Sequence, residues 1–221
     1  MRTRLIMTLT GLLLLFALLF CLTRGLLSPG RGQREEAGAE ETLEARRAQI
    51  RENAKEENMK TIYLAGGCFW GTQKFLDQFP GVLETETVYA NGSTESPTYQ
   101  DVCRGSGHAE TVRVVYDESV LSLDDLLDYY FMSIDPLSVN RQGGDIGVQY
   151  RTGIYYEDET LLPGIKKAWD RKAAQAGQDL AVEVLPLDRF WPAEEYHQKY
   201  LDKNPGGYCH IPLKLLHLAK P

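Results

Sequence analysis

The sequence lacks the cysteine patterns that define disulfide-rich domains and small metal-binding domains. It has 4 cysteines in 221 residues, and no two of them stand in Cys-x-x-Cys spacing. The count is too low for a disulfide scaffold, and the spacing predicts neither a zinc ribbon nor a redox dithiol motif. Widely separated cysteines can still meet in the folded chain.

The chain also lacks an excess of positive charge. The chain has 24 Lys and Arg against 31 Asp and Glu, which gives a formal net charge of −7. A nucleic-acid-binding domain should present a basic patch or stripe, so this balance argues against a nucleic-acid partner. The hydrophobic fraction of 43% is typical of a folded globular domain rather than a disordered chain.

The chain begins with a long apolar run over residues 5–22, which Arg2 and Arg4 precede. Its length of about 18 residues is near the lower limit for spanning a bilayer, and no Ala-x-Ala-like cleavage site comes after it. These features predict a signal anchor or signal peptide over residues 1–24, with the uncleaved anchor favoured. Arginines flank the run on both sides, so the positive-inside rule decides its orientation only weakly. Because signal anchors usually export the chain on their C-terminal side, we expect a membrane-anchored body outside the cytoplasm, or a secreted one if the segment is cleaved.

The remainder divides into a charged segment and a globular body. Residues 25–59 are rich in Glu, Arg and Ala and nearly free of large apolar residues, which predicts a solvated, partly helical linker. Residues 60–221 are expected to form one domain of about 160 residues, a normal single-domain size.

Residue spacing within this body predicts mixed strands and helices. Strands are expected at 61–65, 111–116 (half-exposed), 153–156 and 182–184, and helices at 75–79, 123–130, 165–177 and from Pro192 onward. This pattern predicts an α+β fold, a two-layer sandwich whose mixed or antiparallel sheet is packed by helices as in a ferredoxin-like plait. The long connections 89–110 and 134–152 show little periodicity, and loops of that length are expected to build a functional site.

Cys68 is the first candidate for chemistry. It comes after a predicted strand and two glycines and opens a predicted helix. The partial positive charge and free N–H groups of a helix N-terminus favour the thiolate, which is the reactive form of cysteine. The alternative interpretation is a buried core cysteine beside a tight turn.

Several motifs then occur in a particular order along the chain. They are Gly67-Cys68-Phe69-Trp70-Gly71, Ser96-Pro97-Thr98-Tyr99, Gly107-His108-Ala109-Glu110, Asn140-Arg141-Gln142-Gly143-Gly144-Asp145, Gln149-Tyr150-Arg151, Pro192-Ala193-Glu194-Glu195-Tyr196-His197-Gln198 and Gly207-Tyr208-Cys209. With these motifs, residues 60–212 resemble the peptide methionine sulfoxide reductases of the A type. The ordered set is far more specific than any one motif.

The resemblance implies a role for each of eight residues. Cys68 attacks the sulfoxide sulfur, Glu110 protonates the sulfoxide oxygen, Tyr89 and Tyr150 hydrogen-bond that oxygen, Phe69 and Trp70 hold the S-methyl group, Asp145 positions the substrate, and Cys209 resolves the Cys68 sulfenic acid as a disulfide. This route is ordinary cysteine redox chemistry, and a buried carboxylic acid with a raised pKa is a suitable proton donor.

The resemblance also implies the partners. The substrate is the S epimer of methionine sulfoxide, in proteins or free, and thioredoxin or a thioredoxin-like dithiol supplies electrons. No metal or organic cofactor is needed, and a monomer is expected. No cysteine comes after Cys209, which predicts one resolving step; Cys103 is interpreted as a packed loop cysteine, and His108 as structural.

Two alternatives from other classes stay open. One is a cysteine hydrolase or acyltransferase with Cys68 as nucleophile and His108 or His197 as base, which would not require Cys209. The other is a membrane-anchored, non-catalytic binder of oxidised methionine, which would tolerate Cys68→Ser. Each site residue also has a plain interpretation; Glu110, for example, could be a surface carboxylate.

Overall fold

The computed structural model describes residues 43–53 and 55–218. In this part of the chain, eight strands follow one another: β1 (Met59–Gly66), β2 (Val82–Ala90), β3 (Ala109–Asp117), β4 (Arg141–Gln142), β5 (Asp145–Ile146), β6 (Thr152–Tyr156), β7 (Glu183–Pro186) and β8 (Phe190–Pro192). The α-helices are α1 (43–53), α2 (Phe69–Leu76), α3 (Tyr99–Cys103), α4 (Leu123–Ser133), α5 (Leu162–Ala176) and α6 (Tyr200–Lys203). Short 3-10 turns include Val148–Tyr150 just before β6.

The main sheet has six strands in the order β7-β6-β1-β3-β2-β8. Its four central strands are antiparallel and interleave with α2 and α4, which is the order of a ferredoxin-like plait. Strand β7 adds in parallel to β6, and β8 adds antiparallel to β2, so the complete sheet is mixed. The predicted α+β fold is confirmed. Strands β4 and β5 form a separate two-stranded hairpin.

The sheet is buried on both faces. Along β1, Ile62 and Leu64 face the larger core, which also contains apolar side chains of α2, α4 and α5. Tyr63 and Ala65 alternate with them and face a second cluster that Phe190 helps to cover, with the rings of Tyr63 and Phe190 5.2 Å apart. The prediction of a half-exposed strand at 111–116 was therefore wrong: all but one residue of β3 is buried.

The helix predicted from Pro192 does not begin there. Residues 190–192 instead form β8, with Pro192 opposite Val88 of β2. Proline is tolerated in this place because β8 is the last strand of the sheet and needs no N–H there. Only residues Tyr200–Lys203 of the predicted final helix are α-helical.

Part of the segment predicted as a linker is helical. Helix α1 belongs to the compact unit Leu43–Pro221, and Arg47 on it is buried. Arg51 donates to the carbonyl of Leu83, and Arg47 lies 3.9 Å from Asp77. No helix within residues 43–53 and 55–218 is long and apolar enough to cross a bilayer, and the apolar run 5–22 lies outside those residues.

Candidate active site

Cys68 lies at the N-cap of α2, at the end of the turn that leaves β1. Its side chain is buried, and the backbone N–H groups of Trp70 and Gly71 donate hydrogen bonds to its sulfur. Burial nevertheless raises the pKa of Cys68 above its usual range, and the nearby Glu110 raises it further. The helix terminus favours the thiolate, as the sequence predicts, but desolvation opposes it more strongly and keeps the resting thiol protonated. The two N–H groups are placed to stabilise negative charge only as it develops on the sulfur.

Glu110 is the carboxyl group next to this thiol. It lies near the start of β3, is 2% exposed, and accepts a hydrogen bond of 3.1 Å from the backbone N–H of Phe69. Burial raises the pKa of Glu110 to about 8, although the Phe69 N–H opposes the shift. The surface interpretation is therefore excluded. At neutral pH this carboxyl is largely protonated, and it can donate a proton beside Cys68.

Tyr89 faces Glu110 across the β2–β3 pair but has a partner of its own. Its hydroxyl donates to Glu194 Oε2 at 2.7 Å, and the other oxygen of that carboxylate accepts from the backbone N–H of Tyr99 at 2.8 Å. Burial opposes ionisation of Glu194, but these two hydrogen bonds outweigh it and lower its pKa. The single proton of Tyr89 is thus directed at Glu194 in this structure.

Tyr150 and Asp145 come from the loop 134–152. Tyr150 ends the 3-10 turn before β6 and is half-buried; burial and the charges of Glu110 and Asp145 raise its pKa, so its hydroxyl stays protonated. Asp145 on β5 accepts a hydrogen bond of 3.1 Å from the Tyr208 hydroxyl. The long loop therefore brings a phenol and a carboxylate toward Cys68, as the sequence predicts for a loop of this length.

Aromatic side chains surround the first turn of α2. The rings of Trp70 and Tyr200 stack with centroids 3.7 Å apart, and the indole N–H of Trp70 donates to His197 Nδ1 at 2.9 Å. His197 also lies against Phe69, with ring centroids 5.0 Å apart. Burial lowers the pKa of His197 to about 4, so its ring is neutral. The result is an apolar wall of fixed orientation beside the thiol.

The other cysteines occupy different surroundings. Cys209 is half-buried, and its sulfur lies next to Gly71, whose N–H bonds the Cys68 sulfur. Cys103 ends α3 and is exposed, so its interpretation as a packed loop cysteine was wrong. All three of these thiols are free. Cys209 therefore lies within the site, on the side of α2 that carries the thiol of Cys68.

Gly71→Ala is expected to displace Cys209. A methyl group at Gly71 would lie 2.9 Å from the Cys209 sulfur, closer than a non-bonded carbon and sulfur can approach. The C-terminal tail, the segment after α6 that carries Cys209, must therefore move outward. We expect Cys209 to be alkylated by iodoacetamide severalfold faster than in the wild type, measured by mass spectrometry of the modified peptide. Gly206→Ala is the control, since nothing lies within 4 Å of its added methyl group. An unchanged alkylation rate in Gly71→Ala would contradict this placement of the sulfur.

Three further residues contribute to the site although sequence reasoning gave them no role in it. They are Glu194, Arg151 and His210. Glu194 and Arg151 lie inside two of the ordered motifs, and that position was the only sign in the sequence that they belong to the site. Their roles could not be predicted, because their partners are backbone groups and side chains distant in sequence. The sequence suggested His197 only as the base of a possible hydrolase. In the structure it orients Trp70 by accepting a hydrogen bond from the indole N–H.

The geometry does not support a hydrolase dyad. His108 is fully buried and its Nδ1 lies 2.9 Å from the Ser106 hydroxyl, while His197 Nδ1 accepts from Trp70. Among the described residues, no hydrogen bond joins either ring to Cys68. A cysteine hydrolase requires its base within hydrogen-bonding reach of the nucleophile.

Comparison with known sequences places this site in a defined family. The sequence profile of the family described as peptide methionine sulfoxide reductase matches residues 60–219. Peptide methionine sulfoxide reductase MsrA of Lachnoclostridium phytofermentans is 57% identical over 153 residues, covering 69% of this chain and 92% of the relative. The MsrA of Clostridium acetobutylicum is 54% identical over 159 residues, covering 72% and 98%.

Solved structures agree with the sequence comparison. The reduced form of Mxr1 from Saccharomyces cerevisiae superimposes with a TM-score of 0.67 at 35% identity, covering 72% of this chain and 94% of that one. Methionine sulfoxide reductase A of Corynebacterium diphtheriae gives a TM-score of 0.62 at 36% identity, covering 70% and 84%.

Proposed function

We propose that this chain, which belongs to the peptide methionine sulfoxide reductase family, uses Cys68 to reduce the S epimer of methionine sulfoxide in proteins or as the free amino acid. It is a thiol-dependent oxidoreductase of the MsrA type. The observation that carries the residue assignment is the Phe69 N–H bond, which holds a protonated Glu110 next to Cys68.

In the first step the Cys68 sulfur attacks the sulfoxide sulfur while Glu110 protonates the oxygen. The oxygen moves to Cys68, the thioether leaves, and the thiol proton balances the reaction. Cys68 is oxidised to a sulfenic acid by two electrons, and the sulfoxide is reduced by two. The N–H groups of Trp70 and Gly71 stabilise charge on the sulfur during attack.

The surrounding groups orient the substrate. Tyr150 donates a hydrogen bond from its phenolic O–H to the sulfoxide oxygen, and Tyr89 donates a second when its hydroxyl turns away from Glu194. Phe69 and Trp70 provide the apolar wall for the S-methyl group. Asp145, fixed by Tyr208, positions the substrate backbone.

The second step regenerates the enzyme. Cys209 attacks the sulfenic sulfur of Cys68, water leaves, and a disulfide forms. Thioredoxin or a thioredoxin-like dithiol then reduces that disulfide. The position of the Cys209 sulfur beside Gly71 supports this assignment, because only a short movement of the tail separates it from Cys68.

Product analysis tests these roles. The full chain is incubated with dabsyl-methionine (S)-sulfoxide and either dithiothreitol or a thioredoxin system. We expect thioether from the wild type in both, none from Cys68→Ser in either, and loss of activity in Cys209→Ser only with thioredoxin.

Cys103→Ser is the matched control and is expected to keep both activities. If Cys68→Ser still forms thioether, the nucleophile is misassigned. Turnover of esters or amides by the wild type without thioether formation would instead favour a hydrolase. Binding of oxidised methionine without turnover would favour the non-catalytic binder.

We also propose that residues 5–22 anchor a monomeric enzyme to the membrane, with its catalytic body outside the cytoplasm. The apolar run and the lack of a small-residue cleavage motif after it support the anchor. A reporter fused after Pro221 is expected to be active only outside the cytoplasm. Cytoplasmic activity of that reporter would overturn the orientation, and recovery of the protein in the soluble fraction without its first residues would overturn the anchor.

A further inference from the structure

One buried titratable side chain of the site has no part in the chemistry described above. His210 is the residue after Cys209, and its side chain is 3% exposed. Neither ring nitrogen makes a hydrogen bond of ordinary geometry among the described residues, although the Gly66 carbonyl lies near enough to the ring to act on its pKa. A buried imidazole whose nitrogens lack well-formed hydrogen bonds costs free energy, and a role in proton transfer is one explanation for such a side chain.

The His210 ring lies across the entrance of α2. A methyl group built at Gly67 would lie 3.1 Å from His210 Nε2, and one built at Gly71 would lie 3.5 Å from His210 Nδ1. The same point at Gly71 is 2.9 Å from the Cys209 sulfur. The imidazole and the resolving thiol therefore border one glycine, next to the N–H that holds the Cys68 sulfur.

We propose that His210 accepts the proton of Cys209 when that thiol attacks the Cys68 sulfenic acid, an inference that rests on the proposed function. The Cys209 S–H bond breaks, the new S–S bond forms, and the S–O bond of the sulfenic acid breaks. The leaving hydroxide takes that proton back from His210 and departs as water, so the imidazole ends the step neutral. The sulfenic sulfur is reduced as the Cys209 sulfur is oxidised, so no external oxidant is required.

Both groups are neutral before the transfer. Burial raises the pKa of Cys209, so this thiol does not ionise unaided near neutral pH. Burial lowers the pKa of His210, although Asp145 and the Gly66 carbonyl oppose the shift, so its ring is neutral. Because both shifts oppose the transfer, the proton moves only as the S–S bond forms, and Asp145 offsets part of the cost by stabilising the imidazolium. The titratable groups facing it are Asp145 on β5, 4.0 Å from Nδ1, Cys68 at the start of α2, and its neighbours Tyr208 and Cys209.

Asp145 gains a second function from this geometry. Its carboxylate lies beside His210 Nδ1 and stabilises the imidazolium that forms when the proton is taken up. The Tyr208 hydroxyl, bonded to the same carboxylate, fixes its direction. The substrate-positioning residue therefore also assists the step in which the enzyme is reset.

Single-turnover chemistry without added reductant tests the proposal. Reduced full chain is mixed with methionine sulfoxide and quenched over time. Methionine, the Cys68–Cys209 disulfide and the dimedone adduct of Cys68 are then quantified by mass spectrometry. In His210→Asn we expect disulfide formation to slow about 10²-fold more than methionine formation, with the dimedone adduct accumulating. His217→Asn, an exposed histidine in the same tail, is expected to match the wild type.

The wild-type pH profile gives a readout that needs no variant. The rate of disulfide formation is expected to fall as pH is lowered through the titration of His210, and this fall should be absent from His210→Asn. A wild-type pH profile that His210→Asn reproduces, or equal slowing of both steps in His210→Asn, would overturn the role. In Cys209→Ser, loss of the dimedone adduct at the wild-type rate through a disulfide between Cys68 and another cysteine would instead overturn the assignment of Cys209, and with it this role of His210.

Discussion

Glu110→Gln is expected to lower kcat/KM for methionine sulfoxide about 10²–10⁴-fold while the fold is kept, the usual range for loss of a general acid. The amide has the shape of the acid and can still accept from the Phe69 N–H, but it cannot deliver a proton to the sulfoxide oxygen. In the wild type, kcat/KM should fall as pH rises through about 8, where burial places the pKa of Glu110. Steady-state kinetics across pH 6 to 9.5 measure both effects.

Stability provides an independent test of the same carboxyl. The folded pKa of Glu110 lies above its ordinary value, so the native state holds a proton that the unfolded chain releases. Its contribution to stability is therefore fully present at acidic pH and is lost as pH rises toward about 8. The wild type should lose stability relative to Glu110→Gln over that window, measured by urea unfolding at each pH. Parallel stability curves for the two proteins would show that the carboxyl is not protonated when buried.

Arg151→Met is expected to lower the free energy of unfolding by roughly 3–5 kcal/mol, because it leaves three partly buried carbonyls without this donor and breaks a partly buried ion pair. The Arg151 guanidinium donates to the carbonyls of Gly107, Val148 and Asn91 at 3.0, 3.1 and 3.2 Å, and to Glu183 at 3.1 Å. It thereby joins the loops before β3 and β6 to the end of β2. Urea unfolding monitored by tryptophan fluorescence measures the loss.

Two further variants define what Arg151 contributes. Arg151→Lys should recover only a part of the stability, since an ammonium group does not reproduce the planar fork of donors. Arg104→Met removes an exposed arginine paired with Asp101 at 3.5 Å, and its effect should stay within about 0.5 kcal/mol. An Arg151→Met protein as stable as Arg104→Met would mean that the loops hold together without the guanidinium.

The features of this protein that depend on local sequence patterns could be predicted from the sequence. A β-branched run with two glycines after it is enough to place Cys68 at the start of a helix, and the ordered motifs identify the family. The buried state of Glu110 was not accessible in this way, because it depends on the pairing of β3 with two neighbouring strands. The same limit explains Pro192: its local pattern suits a helix start, but pairing with Val88 makes it a strand.

Side-chain partners were harder still to foresee. The bond from Tyr89 to Glu194 joins positions more than a hundred residues apart, and the donors of Arg151 meet backbone carbonyls, which leave no mark in the sequence. The protonation state of Cys68 could not be predicted from the sequence for a related reason. A helix terminus is visible in a sequence, whereas the desolvation that opposes it appears only after packing.

The two outer strands of the main sheet affect how readily this enzyme aggregates with the damaged proteins that it repairs. Both are short, with four residues in β7 and three in β8, and each ends in a proline, Pro186 and Pro192. Short edges that carry proline offer few free N–H groups to an incoming strand, so they resist intermolecular β-pairing. A repair enzyme meets oxidised, partly unfolded chains, which are the molecules most prone to add to an open edge. With edge strands of this kind, an oxidised chain is expected to bind through the side chains of the active site rather than to aggregate with the sheet.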